Sequence, residues 1–175
     1  MTPRTESLIS TLALAASAAM FLAVTTLYYG HGFFDDSLIG LRYVKNLVEG
    51  HGLAWNPGEA PVEGFSSLGW ILLLAAFRVS SSEGLERLSI GVGVATGLAV
   101  ILAAWLVTRS LLPRHLRSVA LIVPLHLALS GLLTRHAISG METMLATLAP
   151  ILVASLWAFP HLARRRRYWA AIAVL

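Results

Sequence analysis

The sequence predicts an all-α protein, a polytopic bundle of transmembrane helices. Two observations lead to this prediction: the 175-residue chain is 57% hydrophobic and only 13% charged, and its mean hydropathy is +0.74. A soluble domain of this length has about a quarter of its residues charged, so the shortage of charge points to a membrane protein. The sequence contains no cysteine, which excludes disulfides, thiolate metal sites and cysteine nucleophiles.

The first predicted span covers residues 8–28. This run is apolar, is long enough to cross a bilayer and ends at Tyr28-Tyr29, an aromatic pair typical of membrane interfaces. A cleaved signal peptide is the alternative, because Ala15-Ala16-Ser17-Ala18-Ala19 offers small-residue cleavage sites. We favour an uncleaved helix, since the apolar run continues well past these alanines.

Residues 29–67 form a predicted polar loop that contains an amphipathic helix at 37–49. In that helix the apolar and charged side chains fall on opposite sides, at spacings of three and four residues. Asp35 or Asp36 is the predicted N-cap. The length and polarity of the helix indicate that it lies along the membrane surface rather than crossing it.

The remaining apolar segments extend the bundle. Residues 68–78 have about half the usual spanning length, and we expect a short re-entrant helix that dips into the membrane. Full spans are predicted at 88–112, 118–133 and 143–159, with the start of another at 168–175. A span needs about 20 apolar residues, and the last run is shorter. We therefore expect residues 1–175 to be the N-terminal part of a larger membrane module.

The arginine clusters Arg109–Arg117 and Arg164–Arg167 predict the topology, because cytoplasmic loops carry an excess of basic residues. If residues 68–78 crossed the membrane fully, the first cluster would lie outside. If they only dip in, both clusters are cytoplasmic. The loop at 29–67 and the polar junction before Glu142 then share the outer face of a multi-pass protein in the cytoplasmic membrane. We favour this second arrangement.

The net charge of +4 does not predict a nucleic-acid partner, because a basic run needs a soluble platform to bind nucleic acid and this chain offers none. Membrane lipid is the expected partner of the basic segments. The sequence also lacks a phosphate-binding Gly-rich loop, a His-Glu-x-x-His motif and a Gly-x-Ser-x-Gly motif. Cytosolic nucleotide chemistry is therefore not predicted.

The pair Asp35-Asp36 is the strongest chemical signal. Two carboxylates directly after an apolar helix cost free energy at the bilayer boundary unless they are solvated or used. A carboxylate there is suited to act as a general base on a hydroxyl, or to hold Mg²⁺ or Mn²⁺ against a phosphate. Helix capping is the alternative, but it explains one aspartate and leaves the second without a role.

Other polar residues at the junctions are candidates for binding a substrate. These residues are Arg42, Glu63, Glu142, Arg135, Tyr43 and His51. Arginine binds phosphate through charge-assisted hydrogen bonds, histidine ligates metals or shuttles protons, and tyrosine stacks on sugar rings. Each has a structural alternative: a solvated helix face, an interfacial residue or, for the two glutamates, a favourable charge at a helix N-terminus. Three acidic sites at three helix starts on one face are more suggestive than any one alone.

The stretch from Asp35 to Glu59 resembles the first outer loop of bacterial polytopic glycosyltransferases with the GT-C fold. Among these it is most similar to the arabinofuranosyltransferase-like members of actinobacterial cell-wall assembly. Their pattern runs from paired Asp through Arg-Tyr and Asn-Pro-Gly to Val-Glu-Gly-Tyr, which 62–65 matches with Phe65 in place of Tyr. The segment 138–143 resembles their second motif, Ser-Gly-Leu-Glu-Thr, with Met141 in place of Leu.

The resemblance implies transfer of an arabinofuranosyl or other pentose or hexose unit from a polyprenyl-phosphate donor to a glycan, lipid or protein acceptor outside the cytoplasmic membrane. Asp35 or Asp36 would deprotonate the acceptor hydroxyl in an inverting displacement, while Arg42, Glu63 and Glu142 would shape the donor-phosphate and sugar pockets. Metal dependence varies across this superfamily. Its members are several times longer, so the chain resembles an incomplete GT-C bundle. A non-catalytic membrane remnant or assembly module is the alternative.

Overall fold

A computed structural model describes residues 3–28, 33–60, 62–159 and 161. These residues form seven α-helices and one 3₁₀ helix, and none of them lies in a strand, so the all-α prediction is confirmed. Tyr29 and His31, the four arginines at 164–167 and the apolar run at 168–175 lie outside the described residues.

The helices follow one another through the whole described chain, separated by short connections except for the loop after α2. They are α1 (Pro3–Tyr28), α2 (Asp35–Val48), α3 (Leu68–Ala75), α4 (Ser82–Leu111), the 3₁₀ helix (Arg114–Leu121), α5 (Ile122–Ala128), α6 (Gly131–Ala137) and α7 (Thr143–Ala158).

The two longest helices, α1 and α4, are both long and apolar enough to cross a membrane. At 1.5 Å per residue α1 is ~39 Å long and α4 is ~45 Å long, against a hydrocarbon core of ~30 Å. Helix α4 begins earlier than the span predicted at 88–112, because Ser81 caps it by accepting a hydrogen bond from the Gly84 N–H. Its first turns are polar, and the apolar part follows.

The span predicted at 118–133 is not one helix. The chain forms a 3₁₀ helix and then α5, breaks, and continues in α6 at an angle of 59°. At the break the Ser130 hydroxyl accepts a hydrogen bond from the Leu133 N–H and so starts α6 as a new helix. Taken together, this bent pair is a third candidate span. Helix α7 has 16 residues and at ~24 Å is shorter than the hydrocarbon core.

One core joins α1, α4, α5, α6 and α7. Its buried side chains are Phe21, Val100, Ile101, Ala128, Leu133, Ala137 and Met144. Glycine lets two helices approach α4 closely: a Cβ at Gly93 would clash with the Ala137 carbonyl oxygen of α6, and a Cβ at Gly97 would lie 2.7 Å from the Phe21 ring of α1. These contacts fix α6, and with it the polar junction that follows.

A second core joins α2, α3 and the first turns of α4. Its buried side chains are Leu41, Tyr43, Val44, Trp70, Ile71, Leu74 and Leu85. The apolar side of the predicted amphipathic helix is therefore covered by two other helices of the same chain. Helix α2 begins two residues before the predicted start at 37.

The molecule has two chemically different ends. We call α2, the loop after it, α3, the first turns of α4 and the junction at 138–142 the loop end. The first turns of α1, the last turn of α4 and the 3₁₀ helix form the basic end. An ion pair of 3.5 Å between Glu6 and Arg109 holds the start of α1 beside the end of α4, so these two helices run antiparallel.

Candidate functional site

The two segments that resemble glycosyltransferase motifs meet at the loop end. The Phe34 N–H donates a hydrogen bond of 3.1 Å to the Ser139 carbonyl oxygen, which ties the start of α2 to the junction at 138–142. The buried indole Nε1 of Trp70 donates a bond of 3.2 Å to the Gly140 carbonyl oxygen. Gly140 has φ of +77°, and a Cβ there would clash with the Phe33 ring. The contact between the segments therefore requires glycine.

Both aspartates of the pair are exposed in the first turn of α2. The N-cap is Phe34, which makes no side-chain cap bond, so the prediction that Asp35 or Asp36 caps the helix is wrong. The Ser37 hydroxyl instead bonds back to the Phe34 carbonyl oxygen. Within the described part of the chain neither carboxylate has a hydrogen-bond or ion-pair partner. Both remain available to a ligand.

A pocket of about 230 Å³ opens beside Asp36. We call it the Glu142 pocket, since it is also lined by Glu142, the N-cap residue of α7, which makes no side-chain cap bond. Ser66 and Ser67 line it from the end of the loop, and the Ser67 hydroxyl caps α3 by accepting a bond from the Trp70 N–H. The first turn of α2, which carries Asp36, and the segment 138–143, which carries Glu142, thus line the same cavity.

A second, more open depression of about 460 Å³ is also lined by Asp36. We call it the Arg135 pocket, because Arg135 lines it together with Asp35, Asp36, Phe33 and Phe34. The exposed Arg135 guanidinium is held over the Phe34 ring, with its Cζ atom 5.0 Å from the ring centroid. It is not within ion-pairing distance of either aspartate. Asp36 is therefore common to a cavity that holds a second acid and one that holds a cation.

Tyr43 does not face either pocket. Its side chain is fully buried, its hydroxyl donates a 2.6 Å bond to the Val62 carbonyl oxygen, and its ring packs edge-on against Phe65 with the centroids 4.8 Å apart. This burial leaves no surface on which a sugar ring could stack, contrary to the role expected for it. Tyr43 instead positions the segment that contains Glu63, which is exposed and lies outside the two pockets.

Arg42 and His51 lie away from the aspartates. The Arg42 Nε atom donates a 2.8 Å bond to the Trp55 carbonyl oxygen, its Nη2 atom donates a 2.6 Å bond to Asn56 Oδ1, and its guanidinium stacks 4.3 Å from the Trp55 ring centroid. It therefore holds the loop after α2 in place. His51 is exposed just beyond the far end of α2, ~20 Å along the helix from the aspartates.

The described residues contain no group of three His, Asp or Glu side chains placed to hold a metal ion. The pair Asp35-Asp36 alone supplies two carboxylates, so a Mg²⁺ or Mn²⁺ ion would have to complete its coordination with water and substrate phosphate. Asp36 and Glu142 share the Glu142 pocket without a third acid or histidine in its lining. These residues do not form a metal site on their own.

Phe34 and Trp70 are the positioning residues that the sequence did not identify as such. Trp70 is buried and bonds a residue 70 positions further along the chain. Phe34 contacts Arg135 through its ring, and its ring also lies edge-on to His136 at 6.1 Å. No local pattern marks either residue, because both roles depend on the distant junction at 138–142.

Two helices of spanning length, in a chain whose described residues are otherwise helical or irregular, indicate an α-helical membrane protein. Comparison with protein-family models, with curated proteins and with solved structures gives no match to this chain. The likeness to GT-C glycosyltransferases therefore rests on the motif residues of the sequence alone.

Proposed function

We propose that this chain belongs to a membrane glycosyltransferase that moves a sugar from a polyprenyl-phosphate donor to a hydroxyl group of a cell-envelope acceptor. The reaction takes place at the outer face of the cytoplasmic membrane. One observation carries the proposal: Asp36 lines both the Glu142 pocket and the Arg135 pocket, where two segments that resemble the family's motifs meet. A base needs this kind of position, with one substrate on each side.

In the proposed reaction the Asp36 carboxylate takes the proton of the acceptor hydroxyl as the oxygen of that hydroxyl bonds to the anomeric carbon of the donor sugar. The bond between that carbon and the donor phosphate oxygen breaks, and its electron pair leaves with the phosphate. The configuration at the anomeric carbon is inverted, because attack and departure occur on opposite faces. Asp35, on the next residue of the same turn, is the alternative base.

The two pockets suit the two substrates in different ways. The Arg135 guanidinium, exposed and without an ion-pair partner among the described residues, is suited to stabilise the charge that develops on the leaving phosphate. The Glu142 pocket offers a carboxylate and two serine hydroxyls to the hydroxyl groups of a sugar. Its volume of about 230 Å³ lies below the range for drug-sized ligands and suits a single sugar ring.

A non-catalytic module that assembles with other membrane chains is the second candidate. It is favoured by the large apolar side chains that α1 leaves exposed, namely Leu8, Ile9, Leu12, Met20, Leu22 and Leu27. In a single isolated chain these side chains would face lipid, and in an assembly they would face a partner helix.

The test is a transfer assay in membranes that contain the protein, with a panel of polyprenyl-phosphate sugars. Asp36→Asn keeps the shape of the side chain and removes the base, so transfer should fall by roughly 10²- to 10⁴-fold. The matched control is Glu83→Gln, which also changes an exposed acid in the first turn of a helix and should leave transfer unchanged.

Full transfer by both Asp35→Asn and Asp36→Asn would contradict the assignment of the base. Absence of transfer from every donor by a folded, membrane-inserted wild-type protein would favour the non-catalytic module.

A further inference from the structure

A groove lies between α2 and the start of α4, apart from the Glu142 pocket and the Arg135 pocket. Its volume is about 310 Å³, and α2 contributes Leu38, Leu41, Arg42, Lys45, Asn46 and Glu49 to it. The Glu142 pocket uses positions 36, 37, 39 and 40 of the same helix. At 100° per residue these two sets of positions point to opposite sides of α2. The groove is therefore a separate site.

The groove has a net positive charge, because Arg42 and Lys45 line it together with the single carboxylate of Glu49. The Lys45 ammonium group makes no hydrogen bond or ion pair with any described residue, the Glu49 carboxylate included. Arg42 uses its Nε and Nη2 atoms to hold the loop, which fixes the guanidinium in the groove and leaves its Nη1 atom without a described partner. A fixed guanidinium beside a free ammonium group is an arrangement suited to a phosphate.

The groove also has an apolar part. Leu38, Leu41 and Leu85 line it, and Leu38 is 53% exposed although it is a large hydrophobic residue. Along α2 the two leucines come one turn before the two cations, so the apolar and cationic parts of the groove follow each other along the helix. A phospholipid has the same layout, with an acyl chain next to a charged headgroup.

The length of α4 places the groove at headgroup depth. Helix α4 is ~45 Å long, which equals the ~40–45 Å thickness of a bilayer that includes its headgroup layers. When α4 crosses the membrane, its first residue, Ser82, therefore lies at the level of the headgroups. Ser82 lines the groove.

We infer that this groove binds a membrane phospholipid with an anionic headgroup. The lipid phosphate lies between the Lys45 ammonium group and the Arg42 guanidinium, and an acyl chain extends along Leu38. This inference is independent of the proposed glycosyl transfer, since the groove shares no residue with the Glu142 pocket or the Arg135 pocket.

The test titrates the detergent-purified protein with phosphatidylglycerol or with phosphatidylcholine and counts the retained lipids by native mass spectrometry. The wild-type protein should retain phosphatidylglycerol in preference to phosphatidylcholine. Lys45→Gln removes a charged donor, and the affinity for phosphatidylglycerol should fall by roughly ten-fold or more. The control is Arg87→Gln, which removes an exposed cation of α4 that already pairs with Glu83 outside the groove, and this variant should bind as the wild type does.

Circular dichroism checks that each variant keeps its helix content, and Lys45→Arg, which restores the charge, should recover most of the binding. Equal retention of the lipid by the wild type and Lys45→Gln would overturn the inference. So would loss of phosphatidylglycerol on addition of millimolar inorganic phosphate, since the groove would then be a free-phosphate site. Stoichiometric displacement by polyprenyl phosphate would also overturn it, by making the groove a donor site.

Discussion

The loop end and the basic end differ in charge and in how they are held together. Eight of the nine carboxylates of the chain belong to the loop end, and the exception is Glu6. The loop end is joined by hydrogen bonds between segments far apart in the sequence, such as the bond from Trp70 to Gly140. The contact between α1 and α4 at the basic end is an ion pair of 3.5 Å between partly exposed side chains. The loop end is therefore held together by contacts between distant segments, and the positive charge of the basic end predicts the orientation of the protein in the membrane.

The largest expected effect concerns that orientation. The chain has no cysteine, so single cysteines can be introduced without background. Because basic loops stay in the cytoplasm, His115→Cys should be protected from a membrane-impermeant thiol reagent in intact cells, whereas Glu59→Cys should be labelled. Both positions are exposed. Labelling of His115→Cys from outside would reverse the topology and place the Asp35-Asp36 pair in the cytoplasm.

The next effect concerns the helix contact that fixes the junction. Gly93→Val adds a branched side chain where even a Cβ meets the Ala137 carbonyl oxygen, so α6 must move away from α4. A destabilisation of about 1–3 kcal/mol is expected for such overpacking, measured as a lower thermal midpoint in detergent.

Gly91→Ala is the matched control on the same helix. A Cβ there meets nothing within 4 Å, and alanine is the better helix former by ~1 kcal/mol. Its midpoint should stay the same or rise. Equal loss in both variants would mean that glycine flexibility, rather than the close approach of α6, is what α4 requires.

A smaller effect compares a tryptophan of the loop end with one in the second half of α4. Trp70→Phe removes the bond to the Gly140 carbonyl oxygen and leaves a buried acceptor without its partner, which costs about 1–3 kcal/mol. Trp105→Phe removes an equally large ring system, but the Trp105 Nε1 atom is buried without a hydrogen-bond partner among the described residues. The thermal midpoint should therefore fall further for Trp70→Phe than for Trp105→Phe. The reverse order would show that the hydrogen bond from Trp70 to Gly140 does not stabilise the protein measurably.

The smallest effect belongs to the ion pair of the basic end. Glu6→Gln removes the partner of Arg109, but both side chains are about a third exposed, so the expected loss is only ~0–1 kcal/mol. The loss should shrink as salt is added, because exposed charges are screened. A loss of stability as large as that of Gly93→Val would show that the ion pair at the basic end stabilises the protein as much as the close helix contact at Gly93 does.

The sequence was sufficient for the fold class, since low charge and long apolar runs leave a helical membrane protein as the main solution. It was less informative where an apolar run is interrupted. The apolar run at 118–133 predicts one span, yet Ser130 caps a new helix inside it. A hydroxyl at an N-cap stabilises the start of a new helix, and hydropathy alone does not distinguish such a break from a continuous helix. The same limit applies to α2. An aspartate at the start of the predicted helix suggested an aspartate N-cap, but Phe34 is the N-cap residue.

The residues of the candidate site could be read from the sequence, but their arrangement could not. Asp35, Asp36, Arg135 and Glu142 were identifiable by type and position, and the fold brings them around two pockets that share Asp36. Arg42, Tyr43 and His51 looked equivalent to them in the sequence. Only the fold separates these residues, because Tyr43 is buried, Arg42 holds the loop and His51 lies at the other end of α2.

The sequence by itself determined the class of protein, the helical character of most segments and the unequal distribution of charge between the two ends. These are properties of composition and local periodicity, which each segment carries alone. The tertiary structure decided which polar groups meet. That outcome depends on close contacts between distant segments, above all the approach of α6 to Gly93 and the hydrogen bonds that Phe34 and Trp70 donate to the junction, and no local pattern specifies such contacts.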